Sequence, residues 1–66
     1  MSKLPSSKQI IKTLTKNGFI FVSQRGSHAK FKKGNRIVIV PSPKKEIPAG
    51  TFRSVVRQSG LTREDF

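Results

Sequence analysis

The chain has no cysteine, no tryptophan and no tyrosine. Without cysteine there are no disulfides and no thiolate metal sites, and a reducing compartment such as the cytoplasm is the expected location. Carboxylates are nearly as scarce: Glu46, Glu64 and Asp65 are the only three among 66 residues, and none occurs from Met1 through Lys45. That shortage argues against metal-dependent phosphodiester cleavage, which needs clustered carboxylates. It also argues against a Ser-His-Asp arrangement, because no acid lies near the single histidine, His28. Long apolar runs are missing too. The longest, Ile37 to Val40, is far too short to cross a bilayer, and Met1-Ser2-Lys3-Leu4-Pro5 has no apolar signal-peptide stretch, so no membrane association is expected.

Positive charge is abundant. Fourteen Lys and Arg against three acids give a formal net charge of +11. A chain that repels itself this strongly suits a polyanion, most often nucleic acid, or an acidic partner protein; the plain alternative is a basic soluble domain with neither role. At 66 residues, 33% of them hydrophobic, residues 1–66 make one domain with a small core, which a partner protein can help to stabilise.

Ser6-Ser7-Lys8-Gln9 fits a capping box, so a helix is expected to start near Ser6 or Ser7, bury Ile10, Ile11 and Leu14, and stop at Asn17-Gly18. Lys8, Lys12 and Lys16 form an i, i+4, i+8 row on the other side. Each like-charged pair opposes helix formation by about 0.2–0.5 kcal/mol. The row therefore suits a surface facing phosphates or carboxylates, with a merely solvated face as the alternative.

Phe19 to Gln24 predicts a strand, with Phe19 and Phe21 on one face and Ile20 and Val22 on the other. After Arg25-Gly26-Ser27 the alternation resumes, with Ala29 and Phe31 on one face and His28, Lys30 and Lys32 on the other. Lys33-Gly34-Asn35-Arg36 predicts a tight turn, both Gly34 and Asn35 suiting positive φ. Ile37 to Val40 follows as a strand apolar on both faces, and then a proline-punctuated loop over 41–48. A second helix is expected from Gly50 or Thr51, with Phe52, Val55 and Val56 as its apolar stripe, Arg53 and Arg57 exposed, and Gly60 ending it. Thr62 to Phe66 predicts a capped stub. The order is helix, three antiparallel strands, helix: an α+β fold of α-β-β-β-α type with both helices on one face of the sheet, the arrangement of double-stranded RNA-binding domains.

If Ala29 and Phe31 face the core, His28 shares an exposed face with two lysines, a setting for an anionic substrate. RNA carries its own nucleophile, the 2′-hydroxyl, so cleaving it needs only a base that titrates near neutral pH and positive charge on the phosphate. His28 suits the first role, and Arg25, Lys30 and Lys32 the second. Ser27 shapes the turn or donates to a phosphate. A non-catalytic RNA-binding module, or a basic domain serving an acidic protein alone, remains compatible with the same residues.

Gly18-Phe19, Gly26-Ser27-His28, Val40-Pro41, Gly50-Thr51-Phe52-Arg53-Ser54, Gly60-Leu61 and Phe66, in this order and spacing, resemble the HicA toxins of bacterial and archaeal toxin-antitoxin systems. The resemblance implies an mRNA interferase with the double-stranded-RNA-binding fold that is inhibited by a HicB-type antitoxin; the shortage of carboxylates makes the expected endoribonuclease metal-independent, with no cofactor. It places catalysis on His28, with Gly26 and Ser27 completing the motif. Together with the basic residues this gives Arg25, Gly26, Ser27, Lys30, Lys32, Lys8 and Lys12 as expected RNA contacts. Many relatives carry a second histidine shortly after the Val-Pro pair; this chain has Ser42-Pro43 there, which leaves one histidine to carry the chemistry.

Overall fold

Hydrogen bonding and one-sided burial divide residues 4–66, the part of the chain that the computed structural model describes, into six elements. They are α1 (Ser7–Lys16), β1 (Ile20–Arg25), β2 (His28–Lys33), β3 (Arg36–Pro41), α2 (Ala49–Ser59) and a 3-10 turn (Arg63–Asp65). Residues 1–3 of the expected domain lie outside the described residues. α1 begins with the expected capping box: Ser6 Oγ accepts the Gln9 N–H at 3.1 Å, and Gln9 Oε1 accepts the Ser6 N–H at 2.9 Å. Ser7, Ile10 and Leu14 form its buried face, with Ile11 half-buried beside them.

The strands form an antiparallel sheet in the order β1-β2-β3. Ala29 lies opposite Val40 and Phe31 opposite Val38, and all four are buried. Ile10 and Leu14 of α1 and Val55 of α2 join them in one cluster, so both helices cover the same face of the sheet. This is the α-β-β-β-α arrangement expected of a double-stranded RNA-binding-like fold. The apolar run of β3 divides as its alternation requires: Val38 and Val40 are buried, whereas Ile37 is exposed and Ile39 half-buried on the uncovered face.

Several expectations are corrected. β1 runs one residue later than Phe19–Gln24, and its pairing with β2 shifts between Phe21 and Ser23. Val22 is therefore the extra residue of a β-bulge and not the regular face-partner of Ile20. In the β2–β3 turn only Gly34 takes positive φ (58°), and Asn35 does not. A positive first central residue alone is the pattern of a II′ hairpin, which leaves Asn35 in an ordinary conformation. α2 starts at Ala49, with Pro48 before it as the cap. Of the expected stripe only Val55 is fully buried, Phe52 and Val56 being half-buried. The helix turns Ser59 inward instead, its Oγ donating to Val56 O at 2.8 Å and accepting the Leu61 N–H at 3.1 Å.

Cations brace the β2–β3 end of the sheet. Lys33 Nζ donates to Asn17 O at 2.7 Å and Arg36 Nη1 to Gln58 O at 3.4 Å, so each meets the carbonyl-rich end of one helix. At the other end the loop after β3 is stitched to α1. Ser7 N–H donates to Lys44 O at 2.9 Å, Ser7 Oγ accepts the Lys44 N–H at 2.9 Å, and Ile47 N–H donates to Pro5 O at 2.8 Å. This stitching drives the Ile47 side chain into the core, where it is fully buried.

Near the C-terminal end, Thr62 N–H and the Thr62 hydroxyl donate to Asp65 Oδ2 at 2.8 and 3.0 Å. Those two bonds, the amide's first, hold the Asp65 carboxyl below the ordinary carboxylate range. What this turn adds to stability is thus present at neutral pH and lost as the pH falls through that lowered value.

Ile47 supplies the test of the core. Ile47→Ala is expected to lower unfolding stability by about 2–5 kcal/mol, a large share for so small a domain. A urea titration showing a loss below about 1 kcal/mol would contradict its burial.

Candidate functional site

The site is built from the turn at the opposite end of the sheet from Lys33 and Arg36. Arg25 and His28 are register partners, so Gly26 and Ser27 are the two central residues of the β1–β2 hairpin. Gly26 takes φ 53° and Ser27 stays negative, again the II′ pattern, in which only a residue without a side chain fits the first position easily. The turn is anchored from both sides. Ser27 O accepts the Ser42 N–H at 2.7 Å. The Gln24 side-chain amide donates to Gly26 O at 3.0 Å and to Ser42 O at 2.9 Å. His28 thus starts β2 from a braced corner, opposite Pro41.

His28, Lys30 and Lys32 alternate with buried Ala29 and Phe31, and all three are exposed on the face away from the helices. The bulge decides what joins them. Strict alternation from Phe19 and Phe21 would carry Arg25 to the core side; the extra residue at Val22 re-phases the strand, and Ser23 becomes the partner of Lys30 and Arg25 that of His28. A depression of about 420 Å³ results, lined by Ser23, Arg25, His28, Lys30 and Ile39. Its lining holds three basic side chains, one hydroxyl and one aliphatic group, and no carboxylate.

Of the expected contacts, Arg25, His28 and Lys30 are brought into one depression. Lys32 lies further along the same face, between Ile20 and Ile37 in register. Gly26 and Ser27 form its corner. Lys8 and Lys12 are exposed on α1, in the layer covering the other face of the sheet, so they are not part of this depression. Ser23, Gln24 and Ile39 were not anticipated. The bulge that turns Ser23 outward leaves no mark in sequence, whereas Ile39 belongs to a strand apolar on both faces, half of which had to lie on the lysine-bearing side.

Among the described residues no three His, Cys, Asp or Glu side chains gather as a metal-binding group. None of the described helices is long and apolar enough to cross a membrane.

A helix-sheet-helix domain with an open basic face carrying one histidine defines the class of small α+β domains resembling double-stranded RNA-binding modules. Within it the family is settled by comparison: residues 7–61 match the family described as the HicA toxin of bacterial toxin-antitoxin systems. This chain belongs to that family and is the toxin component of such a pair, with a cognate antitoxin as its partner. No curated protein matches the chain.

The anchoring of the corner is open to direct test. Gln24→Ala removes both side-chain bonds, each worth about 0.5–1.5 kcal/mol net, and is expected to speed hydrogen exchange at the Ser42 amide. Unchanged exchange there would mean that the corner is held without Gln24.

Proposed function

We propose that the chain cleaves mRNA without a metal ion or cofactor, with His28 as the catalytic base, and that a HicB-type antitoxin silences it. The observation that carries this reading is the meeting of His28 with Arg25 and Lys30 around one depression that lacks carboxylates. Such a lining attracts a phosphodiester and keeps its charge balanced as negative charge builds on the phosphate oxygens.

In this scheme the imidazole of His28 takes the proton of the ribose 2′-hydroxyl, and the 2′ oxygen attacks the adjacent phosphorus. The bond from phosphorus to the 5′ oxygen breaks as the new bond forms, and the leaving oxygen takes up a proton. The protonated side chains able to deliver it within the lining are the imidazolium just formed and the Lys30 ammonium. Ser23 and the backbone at Gly26-Ser27 hold the phosphate group against Arg25. Lys32 extends the contact along the strand. Lys8 and Lys12 bind RNA backbone from the helical layer and contribute to affinity more than to chemistry. One positioned base contributes about 10²–10⁴-fold and one charge-stabilising donor about 10²–10³-fold, which suits a slow nuclease.

The same lining offers one imidazole where a paired acid and base would be more efficient, and this favours a second reading: an RNA-binding module that does not cut. Turnover separates the two. Purified protein in excess EDTA is expected to fragment RNA, and His28→Ala to reduce the rate by at least about 100-fold while leaving RNA binding and the thermal transition in place. RNA that stays intact but bound would establish the second reading instead. A substrate with a 2′-deoxy group at the scissile position is expected to resist cleavage, and its cleavage at the normal rate would exclude attack by the 2′ oxygen.

A further inference from the structure

The outer edge of β1 is left unfinished by the fold. In the order β1-β2-β3 the sheet has two edges, and they are treated differently. α2 packs against β3, where the Gln58 side-chain carbonyl accepts the Ile39 N–H at 3.0 Å and Arg36 reaches the Gln58 backbone carbonyl. All six residues of β1, by contrast, are exposed. Three of them are apolar and consecutive: Ile20 is 65% exposed, Phe21 57% and Val22 48%. The strand has no proline and no lysine, so it lacks two common devices that keep edges from pairing. The bulge at Val22 interrupts the edge into Ile20–Phe21 and Ser23–Arg25 without covering either part.

Charge distinguishes the possible occupants. Pairing with a second copy would bring together two chains of net charge +11 along strands whose neighbours in register are Lys32, beside Ile20, and Lys30, beside Ser23. Such a contact sets like charges against one another. An acidic strand is attracted by the same row. We infer that the β1 edge receives a β-strand of the cognate antitoxin, with apolar side chains against Ile20, Phe21 and Val22 and carboxylates toward Arg25, Lys30 and Lys32. Main-chain pairing supplies affinity, and the two side-chain faces supply specificity. A strand seated there lies about 10 Å from β2, two strand spacings away, so its carboxylates extend over the depression at His28 and compete with phosphate for Arg25. The inference rests on the reading that an antitoxin silences this chain, and is independent of how RNA is cut.

The test uses the full chain and the antitoxin encoded with it. The double variant Ile20→Thr/Val22→Thr keeps β-branched residues at both exposed positions while removing apolar surface, so its circular dichroism and thermal transition should match those of the parent. Its affinity for the antitoxin, measured by calorimetry, is expected to fall about tenfold or more. Hydrogen exchange on the parent complex should show new protection at the amides of residues 20–25. Unchanged affinity of the double variant, or protection confined to other segments, would overturn the proposal. So would a dimer of the free chain that the double variant dissolves, since the edge would then serve a second copy. New protection at β1 in a protein that leaves RNA intact supports the docking and removes only the cleavage reading.

Discussion

Ala29 and Phe31 of β2 face the helices, and that choice of phase governs the rest of the molecule. Among the described residues, nine buried apolar side chains form the core, too few to cover both faces of a three-stranded sheet, so the helices are committed to one. Every residue between Ala29 and Phe31 and on either side of them must then point to solvent. The sequence places basic side chains at those positions, and His28, Lys30 and Lys32 come to lie in a line on the uncovered face. Charge repulsion along that line works against folding, and the core behind it has to offset the cost. The pattern is what a protein selected to meet a polyanion or an acidic partner would show.

A second constraint refines the first. The bulge at Val22 turns the last part of β1 over, so that Ser23 and Arg25 join His28 and Lys30 instead of facing the core side. The corner that follows is braced by Gln24 and by the bond between Ser27 O and the Ser42 N–H. One extra residue thus converts a lysine-bearing strand into a depression with cations on two sides of an imidazole. The strand order leaves β1 as an edge, with its apolar residues exposed, where the edge of the sheet and the edge of the site coincide.

Much of this was legible beforehand, and the parts that were not share a cause. The capping box at Ser6 and Gln9, the stop at Asn17-Gly18, the alternation of β2 and the end of α2 at Gly60 each depend on residues within one or two turns of one another, so local chemistry announces them. Ile47 sits among prolines and lysines, and bonds from its loop to residues distant in sequence, Ile47 N–H to Pro5 O and Lys44 to Ser7, carry it inward. The bulge depends on how β1 settles against β2 and has no local signal. Ser59 is buried because Leu61 and Val56 satisfy its hydroxyl, which the apolar stripe Phe52, Val55, Val56 did not indicate. At the candidate site, His28, Arg25 and Lys30 were visible from spacing and charge, whereas Ser23, Gln24 and Ile39 required the register.

Membership of the HicA toxin family and the geometry of the open face bear on one chemical claim, that the RNA supplies its own nucleophile and His28 takes its proton. The chemistry of the severed ends tests that claim most directly. RNA cut by the purified chain and analysed by mass spectrometry should carry a 2′,3′-cyclic phosphate on one fragment and a 5′-hydroxyl on the other. Fragments ending in a 3′-hydroxyl and a 5′-phosphate would show that water had attacked instead, and would contradict the account.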